Sequence, residues 1–314
     1  MAEESSASVQ IPPRWAIVFK AFKAYLELER GRSKHTISGY ATDLRKLPQY
    51  LQLRDFDLGP TQIERMHLDD FLAYLHELGL SPRSQARLVS ALRTFFQFLL
   101  EEEMIETDPT ELLRPPKIGR KLPSVLDHDE VERILSAVDL SKSAGHRDRA
   151  ILEVLYACGL RVSELTNLTI DHVKWDRGLV KVIGKGNKER WVPIGDQALR
   201  WTELYVQEVR SRQDNVKPEA SRVLFLNLRG GALSRVAVFN IVKSYTSLAK
   251  IEKTVSPHTF RHSFATHLIE GGADLRAVQE MLGHESILTT EIYTHLDMDY
   301  LRETVLLFHP MNRR

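Results

Sequence analysis

Along the first third of the chain, hydrophobic positions recur at three- and four-residue steps, the signature of amphipathic helices around a shared core. The pattern predicts a first helix from about Arg14, with Trp15, Val18, Phe19, Phe22 and Leu26 inward and Gly31 just past its end. A second helix carries Ile37, Tyr40, Leu44, Leu47 and Leu51; Pro48 lies inside it and predicts a kink or an early end. A third carries Leu68, Phe71, Leu72 and Leu75 and stops at Gly79. The fourth has the clearest boundaries: Ser81 as N-cap, Pro82 at the first helical position, and Leu88, Leu92, Phe95, Phe96 and Leu99 on its inner face.

The periodicity lapses after Asp108-Pro109. Arg114-Pro115-Pro116-Lys117-Ile118-Gly119-Arg120-Lys121 combines paired prolines with cations and no acid, the composition of an interdomain linker. Alone it reads slightly better as a solvated loop than as a basic strap for phosphates. Beyond it, Asp127 opens a helix through Val131, Ile134 and Leu135, and another runs from about Arg147 through Leu155. Residues 179–183 and 189–194 then read as two strands, joined by the glycine-rich reversal Gly184-Lys185-Gly186-Asn187-Lys188. The remainder is again mostly helical. No strand–helix alternation occurs, which argues against a doubly wound sheet. The fold class expected is mainly α: an all-helical N-terminal domain, and a mostly helical α+β domain with a small antiparallel sheet. The boundaries expected are a flexible leader at 1–13, a helical domain at 14–113, a linker at 114–123 and a second domain at 124–314.

Composition adds limits rather than an identity. A length of 314 residues suits two domains, and 43% hydrophobic residues is ordinary globular composition. The 43 Lys and Arg against 42 Asp and Glu leave a net charge of +1, so bulk basicity names no partner. Cys158 is the single cysteine, which excludes an internal disulfide or a Cys-x-x-Cys site and suggests a reducing compartment. The polar, acidic start lacks the regions of a secretory signal, and the longest apolar runs fall far short of a membrane span. A soluble, cytoplasmic protein is expected.

The cations are local. They gather in the linker, in the hairpin (Lys185, Lys188, Arg190) and in a histidine-rich helix, and a focused positive site suits a focused anion such as phosphate. In the segment 256–268, Ser256 caps a helix, Pro257 sits in its first turn, and Phe260, Phe264 and Leu268 form a core stripe. His258 and Arg261, three apart, share another face, and the helix N-terminus itself favours an anion. The same pair also reads as a partly buried histidine and a surface arginine. A zinc site on His258 and His262 is a weak reading, because the Glu of H-E-x-x-H is missing and no third ligand is evident. In the segment 281–295, Gly283 ends a helix, Thr289-Thr290 can start another, and His284 and Tyr293 bracket the turn. In the segment 158–165, Arg161 and Glu164 share a helical face; alone they read as a surface ion pair worth under about 1 kcal/mol. Cys158, flanked by Leu155, Tyr156 and Ala157, reads as buried rather than nucleophilic.

In order and spacing, GLRVSEL (159–165), GKGNKER (184–190), SPHTFRHSFATHL (256–268) and LGHESILTTEIYTH (282–295) resemble the tyrosine recombinase (lambda-integrase) family, and within it the Xer-type chromosome-dimer resolvases. The likeness runs from about Arg14 to the C-terminus. Met311 stands where an arginine is common in Xer tails, and Pro48 interrupts an otherwise smooth helix; neither touches these motifs.

The resemblance implies an N-terminal core-binding (SAM-like) domain and a catalytic domain that cuts one DNA strand through a 3′-phosphotyrosyl bond, with no cofactor, metal or ATP. It implies Tyr293 as nucleophile, Arg161 and Arg261 as phosphate-binding cations, His284 as a further donor, His258 in proton transfer and Lys185 as general acid; Glu164 would support the helix of Arg161. The Gly184-Lys185-Gly186 loop lacks a P-loop pattern, and the motifs lack the paired carboxylates of a metal nuclease. The helix from Ser81 would place Ser84 and Arg87 toward a major groove, with Thr36 on its partner helix. Tyr300–Phe308 would dock into a neighbouring protomer or onto its own domain. Implied partners are double-stranded DNA with a specific site, a homotetramer (or a heterotetramer with a second recombinase) on two sites, and a translocase of the FtsK type; the implied location is the nucleoid. The alternatives are an integrase of a mobile element or integron, a type IB topoisomerase and, from another class, a non-catalytic DNA-binding regulator.

Overall fold

The structure, a computed structural model, describes residues 11–116, 124–283 and 298–312, apart from the side chains of Lys185, Asp299 and Asn312. The leader up to residue 10, the linker residues 117–123, and the segment 284–297 with His284, Thr289, Thr290 and Tyr293 lie outside the described residues. The chain divides into two compact units between Lys121 and Leu122.

The first unit is all helical: α1 (Pro13–Leu28), α2 (Lys34–Leu44), α3 (Lys46–Leu53), α4 (Arg65–Glu77) and α5 (Pro82–Glu101). The predicted second helix is in fact two. A proline at position 48 has no N–H to give the carbonyl of Leu44, and the chain breaks at Arg45, between α2 and α3. Pro13 already occupies the first position of α1, one residue before the expected start. Ser81 caps α5 as expected, its Oγ accepting from the Ser84 amide at 3.3 Å. The core is aromatic: the Phe95 ring lies 5.2 Å from that of Phe22 and 6.2 Å from that of Trp15. Trp15 donates its indole N–H to the Leu58 carbonyl at 3.0 Å.

One charge is sunk in this core. Asp43 is fully buried, and it accepts from Arg87 Nε at 2.7 Å, from Arg87 Nη2 at 3.1 Å and from Lys46 Nζ at 3.0 Å. Burial works against its charged form, but the hydrogen bonds from Arg87 and then Lys46 overcome it and hold the carboxyl below its ordinary range.

The second unit is mostly helical with a small sheet: α6 (His128–Ser136), α7 (Gly145–Cys158), α8 (Val162–Thr166), β1 (Val173–Lys174), β2 (Leu179–Ile183), β3 (Glu189–Pro193), α9 (Asp196–Leu204), α10 (Arg235–Leu248), α11 (Pro257–Gly271), α12 (Leu275–Leu282) and α13 (Met298–Phe308). The sheet runs β1-β2-β3, all antiparallel, with Val182 opposite Arg190 and Val180 opposite Val192. Sequence pattern found β2 and β3 but not β1, which is two residues long and too short for any alternation. Asp127 caps α6, its side chain accepting from the Glu130 amide at 2.8 Å while the Glu130 carboxylate accepts from the Asp127 amide at 2.8 Å. α9 runs on into a π-helical turn, Tyr205–Arg210.

Cys158 is fully buried, its thiol pushed up to about 12 by loss of solvent, so it packs rather than reacts. Of the two dockings left open for Tyr300–Phe308, the single chain shows the one onto its own unit: Leu301 and Val305 are buried in the core that Phe260 and Phe264 also line.

If Arg87 acts mainly as the partner of Asp43, Arg87→Gln should lower the opening free energy of α2 and α5 by about 1–2 kcal/mol, given that Arg87 is half exposed and Lys46 remains. Amide hydrogen exchange on the full chain measures this. Because the Asp43 carboxyl is depressed when folded, the difference should persist down to the usual carboxylate range and fade only as pH falls below it. Unchanged protection at neutral pH would refute the pairing.

Candidate active site

Three elements of the second unit bring arginines to one buried carboxylate. Arg161 is the N-cap of α8, and Glu164 lies in the first turn of that short helix. The Glu164 carboxylate turns back to accept the Arg161 amide at 2.8 Å and Arg161 Nη1 at 2.8 Å. From β3, Arg190 grips both carboxylate oxygens, Nη1 to Oε1 at 3.0 Å and Nη2 to Oε2 at 2.9 Å. From α11, Arg261 Nη1 stands 3.9 Å from Glu164 Oε2.

The bland alternative of a surface pair at Arg161 and Glu164 does not hold: Glu164 is only 3% exposed and belongs to a cluster of three arginines. Burial alone would raise its carboxyl, yet the hydrogen bonds from Arg190 and Arg161 hold it below the ordinary range, so it stays ionised. Arg261 is itself buried. Loss of water, followed by the charge of Arg161, pushes its guanidinium down to about 10, still cationic at neutral pH. Three cations against one anion leave two net positive charges at this spot.

The same three guanidinium groups also hold the end of α12. The last carbonyls of a helix have no partner within it and carry the negative end of its dipole. Arg190 Nε donates to the Met281 carbonyl at 2.8 Å, Arg261 Nη2 to Leu282 at 2.6 Å and Arg161 Nη2 to Gly283 at 3.3 Å. Gly283 reverses the chain in a left-handed conformation, φ 62°, immediately before His284. Arg261 Nη1 is also fixed by the Gly159 carbonyl at 2.8 Å. Gly159 has φ 56°, and a Cβ there would stand 2.4 Å from the Phe264 ring, so only glycine fits.

The hairpin between β2 and β3 reaches the same cluster. The Gly184 amide donates to the Lys188 carbonyl at 2.8 Å, closing the loop. A Cβ on Gly184 would lie 3.4 Å from Arg190 Nη1 and 3.7 Å from Glu164 Oε1, which puts the backbone just before Lys185 against the arginines. His258 occupies the second position of α11, after the Ser256–Thr259 cap, and is exposed. Its imidazole is held below the ordinary histidine value by partial loss of hydration, then by the charges of Arg261, His262 and Arg161. The two readings left open for His258 and Arg261 thus resolve into a buried arginine and an exposed histidine.

Of the sequence candidates, Arg161 and Arg261 meet at Glu164, His258 lies within their field, and Lys185 follows the glycine that abuts them. His284 and Tyr293, and the side chain of Lys185, lie outside the described residues. In the first unit, Thr36 and Ser84 serve helix starts: the Thr36 amide donates to Ser33 Oγ at 3.2 Å, and Ser81 Oγ donates to Ser84 Oγ at 2.9 Å. The guanidinium of Arg87 is engaged with Asp43.

Sequence reasoning put Arg190 among the hairpin cations and gave it no role. Its place was recoverable from register. Val180 and Val182 alternate inward on β2, and a tight hairpin sets Arg190 opposite fully buried Val182.

Two family models match the chain: "Phage integrase family" over residues 124–299, and "Phage integrase, N-terminal SAM-like domain" over residues 19–103. Tyrosine recombinase XerD of Staphylococcus haemolyticus (strain JCSC1435) is 45% identical over 296 residues, spanning 93% of this chain and 98% of that protein. XerD of Staphylococcus aureus (strain N315) is 43% identical over the same shares. Among solved structures, XerH recombinase bound to palindromic difH substrate in a post-cleavage complex aligns with TM-score 0.68 and 25% identity, covering 92% of this chain and 84% of that one. A lambda integrase dimer bound to a COC′ core site aligns with TM-score 0.67 at 19% identity over 89% of this chain and 99% of that one, a likeness of fold. Among the described residues, no helix is long and apolar enough to cross a membrane.

The electrostatics give a direct check. The His258 ring should titrate below 6.5 in an NMR pH series, and Arg161→Gln should move its midpoint upward. A midpoint at or above 6.5, or one indifferent to Arg161, would contradict the placement of His258 in the arginine field.

Proposed function

This chain belongs to the phage integrase family and is a site-specific tyrosine recombinase, and from that premise we propose that Tyr293 cuts double-stranded DNA, leaving a 3′-phosphotyrosyl bond, with Arg161, Arg261, His284, His258 and Lys185 driving the exchange. The bond from Tyr293 Oη to phosphorus forms as the bond from phosphorus to the 5′-oxygen breaks. The tyrosine proton leaves toward His258, and the departing 5′-oxygen takes a proton from Lys185. A 5′-hydroxyl of a second strand then attacks the phosphotyrosine and frees Tyr293. Each step trades one phosphoester for another, so the balance needs no outside energy.

The observation that best supports this reading is the pair of guanidinium groups, Arg161 and Arg261, fixed in advance, the first by the Glu164 carboxylate and the second by the Gly159 and Leu282 carbonyls beside it. Charge grows on the non-bridging phosphate oxygens as the tyrosine attacks, and cations already in place stabilise it without reorganising. Arginine forks match two oxygens at once where lysine offers a point charge. A free tyrosine, with a pKa near 10, needs this help and a base; an imidazole held neutral at pH 7 can supply the base. The backbone before Lys185 abuts the cluster from the hairpin side, which suits an acid for the leaving oxygen.

The reading extends to assembly: a tetramer of one recombinase or two on paired DNA sites, resolving chromosome dimers at the nucleoid under a translocase of the FtsK type. Its support is the likeness to XerD proteins along 93% of the chain, which favours this over integration of a mobile element. In that assembly α13 would exchange its own unit for a neighbour's. Thr36, Ser84 and Arg87 are the contacts proposed for the first unit.

The test uses nicked duplexes carrying the site that the protein selects from fragments of its own genome. A covalent adduct should form in EDTA and vanish in Tyr293→Phe; an adduct that persists there removes Tyr293 as nucleophile. Lys185→Ala should bind the site and cleave it about 10²–10⁴-fold more slowly. Sulfur in place of the 5′-bridging oxygen leaves without a proton, so this substrate should erase the defect. A defect of equal size on both substrates would remove Lys185 as the acid.

A further inference from the structure

Arg190 differs from its two neighbours in how its donors are used. Its Nη1 and Nη2 take the two oxygens of Glu164, and its Nε takes the Met281 carbonyl. Three of the five N–H groups of the guanidinium are thereby spent inside the protein. Its side chain is 13% exposed, against 34% for that of Arg161. Arg261 is as buried, at 10%, but among the described residues spends only two donors, on carbonyls, so what sets Arg190 apart is that both faces of its fork are already closed on a carboxylate.

It nevertheless joins α8, the end of α12 and the hairpin among the described residues. Through Glu164 it sets Arg161, whose guanidinium shares that carboxylate, and it stands beside Arg261. Through Met281 it holds the end of α12, and a Cβ on Gly283 would lie 3.1 Å from its Nη1. Through the backbone of β3 it is tied to the hairpin, where the Gly184 Cβ position lies 3.4 Å from the same nitrogen. The residues that follow these two glycines are Lys185 and His284.

We propose that Arg190 is a positioning residue of the strand-cutting reaction: its bidentate bond neutralises Glu164 so that Arg161 and Arg261 stay available to the phosphate, and its third bond locks the turn before His284 to the strand after Lys185. The inference rests on the recombinase reading given above. Without Arg190, the carboxylate draws Arg161 and Arg261 onto itself, and the net charge of the cluster falls from two to one. Lysine cannot replace it, because a single ammonium cannot span both carboxylate oxygens and a carbonyl in fixed directions.

The experiment is single-turnover adduct formation on the same nicked duplex at saturating protein, with site binding measured separately by gel shift. The parent chain is run first; its adduct tests the recombinase reading, and the Arg190 variants test only this inference. Arg190→Met should bind the site within threefold of the parent and form adduct on the order of 10²-fold more slowly, the scale of losing an aligned donor at a developing charge. Arg190→Met with Glu164→Gln returns the net charge to two and should form adduct at least fivefold faster than Arg190→Met alone. A merely structural role predicts the opposite, since the second change removes more bonds. An Arg190→Met rate within fivefold of the parent, a loss of binding in place of rate, or a double variant no faster than the single one overturns the inference. If circular dichroism shows Arg190→Met unfolded, Arg190→Lys takes its place. A fall of fivefold or more at intact binding supports the role, and a smaller one overturns it.

Discussion

A single buried carboxylate, that of Glu164, gathers arginines from three separate elements of the second unit. Burying a charge is costly, and the cost is offset only when opposite charges and hydrogen bonds surround it. Here two guanidinium groups bond to it directly and a third stands at 3.9 Å. Those cations come from the start of α8, from β3 and from α11, elements brought together only by the tertiary fold. Crowding three like charges would be unfavourable on its own. The carboxylate and the open carbonyls at the end of α12 absorb the repulsion and leave a fixed positive surplus. The arrangement explains how a chain of net charge +1 can present a concentrated anion site.

Two of the buried-acid clusters among the described residues follow one rule with different outcomes. Asp43 and Arg87 pair one buried acid with a half-exposed arginine and a lysine, which ties α2, α3 and α5 together. Glu164 does the same for α8, β3 and α11 with three cations, so it leaves two net positive charges where Asp43 leaves one. The larger surplus suits a phosphate oxygen acquiring charge in a transition state.

Much of this was legible in the sequence. Helices with strong caps and a clean apolar stripe, such as α5 and α11, were legible because a cap and a 3.6-residue period are local properties. The hairpin was legible for the same reason. Pro48 signalled a break but not its position, which depends on which carbonyl loses its partner. β1 left no trace because two residues carry no period. The Glu164 cluster was the main loss: a spacing of three places Arg161 and Glu164 side by side but says nothing of burial, and neither Arg190 nor Arg261 is near them in sequence. Burial is a property of the assembled core, so a pair that alone reads as exposed has its acid sunk among three arginines.

The central claim is that Glu164 and Arg190 form a fixed platform from which Arg161 and Arg261 reach the scissile phosphate. A crystal structure of the chain bound to its DNA site before cleavage tests it most directly. The account predicts Arg161 and Arg261 donating to the non-bridging oxygens of that phosphate, while Arg190 keeps both oxygens of Glu164 and the Met281 carbonyl. Arg190 turned onto the phosphate with Glu164 released, or Arg161 and Arg261 both out of reach of it, would contradict the account.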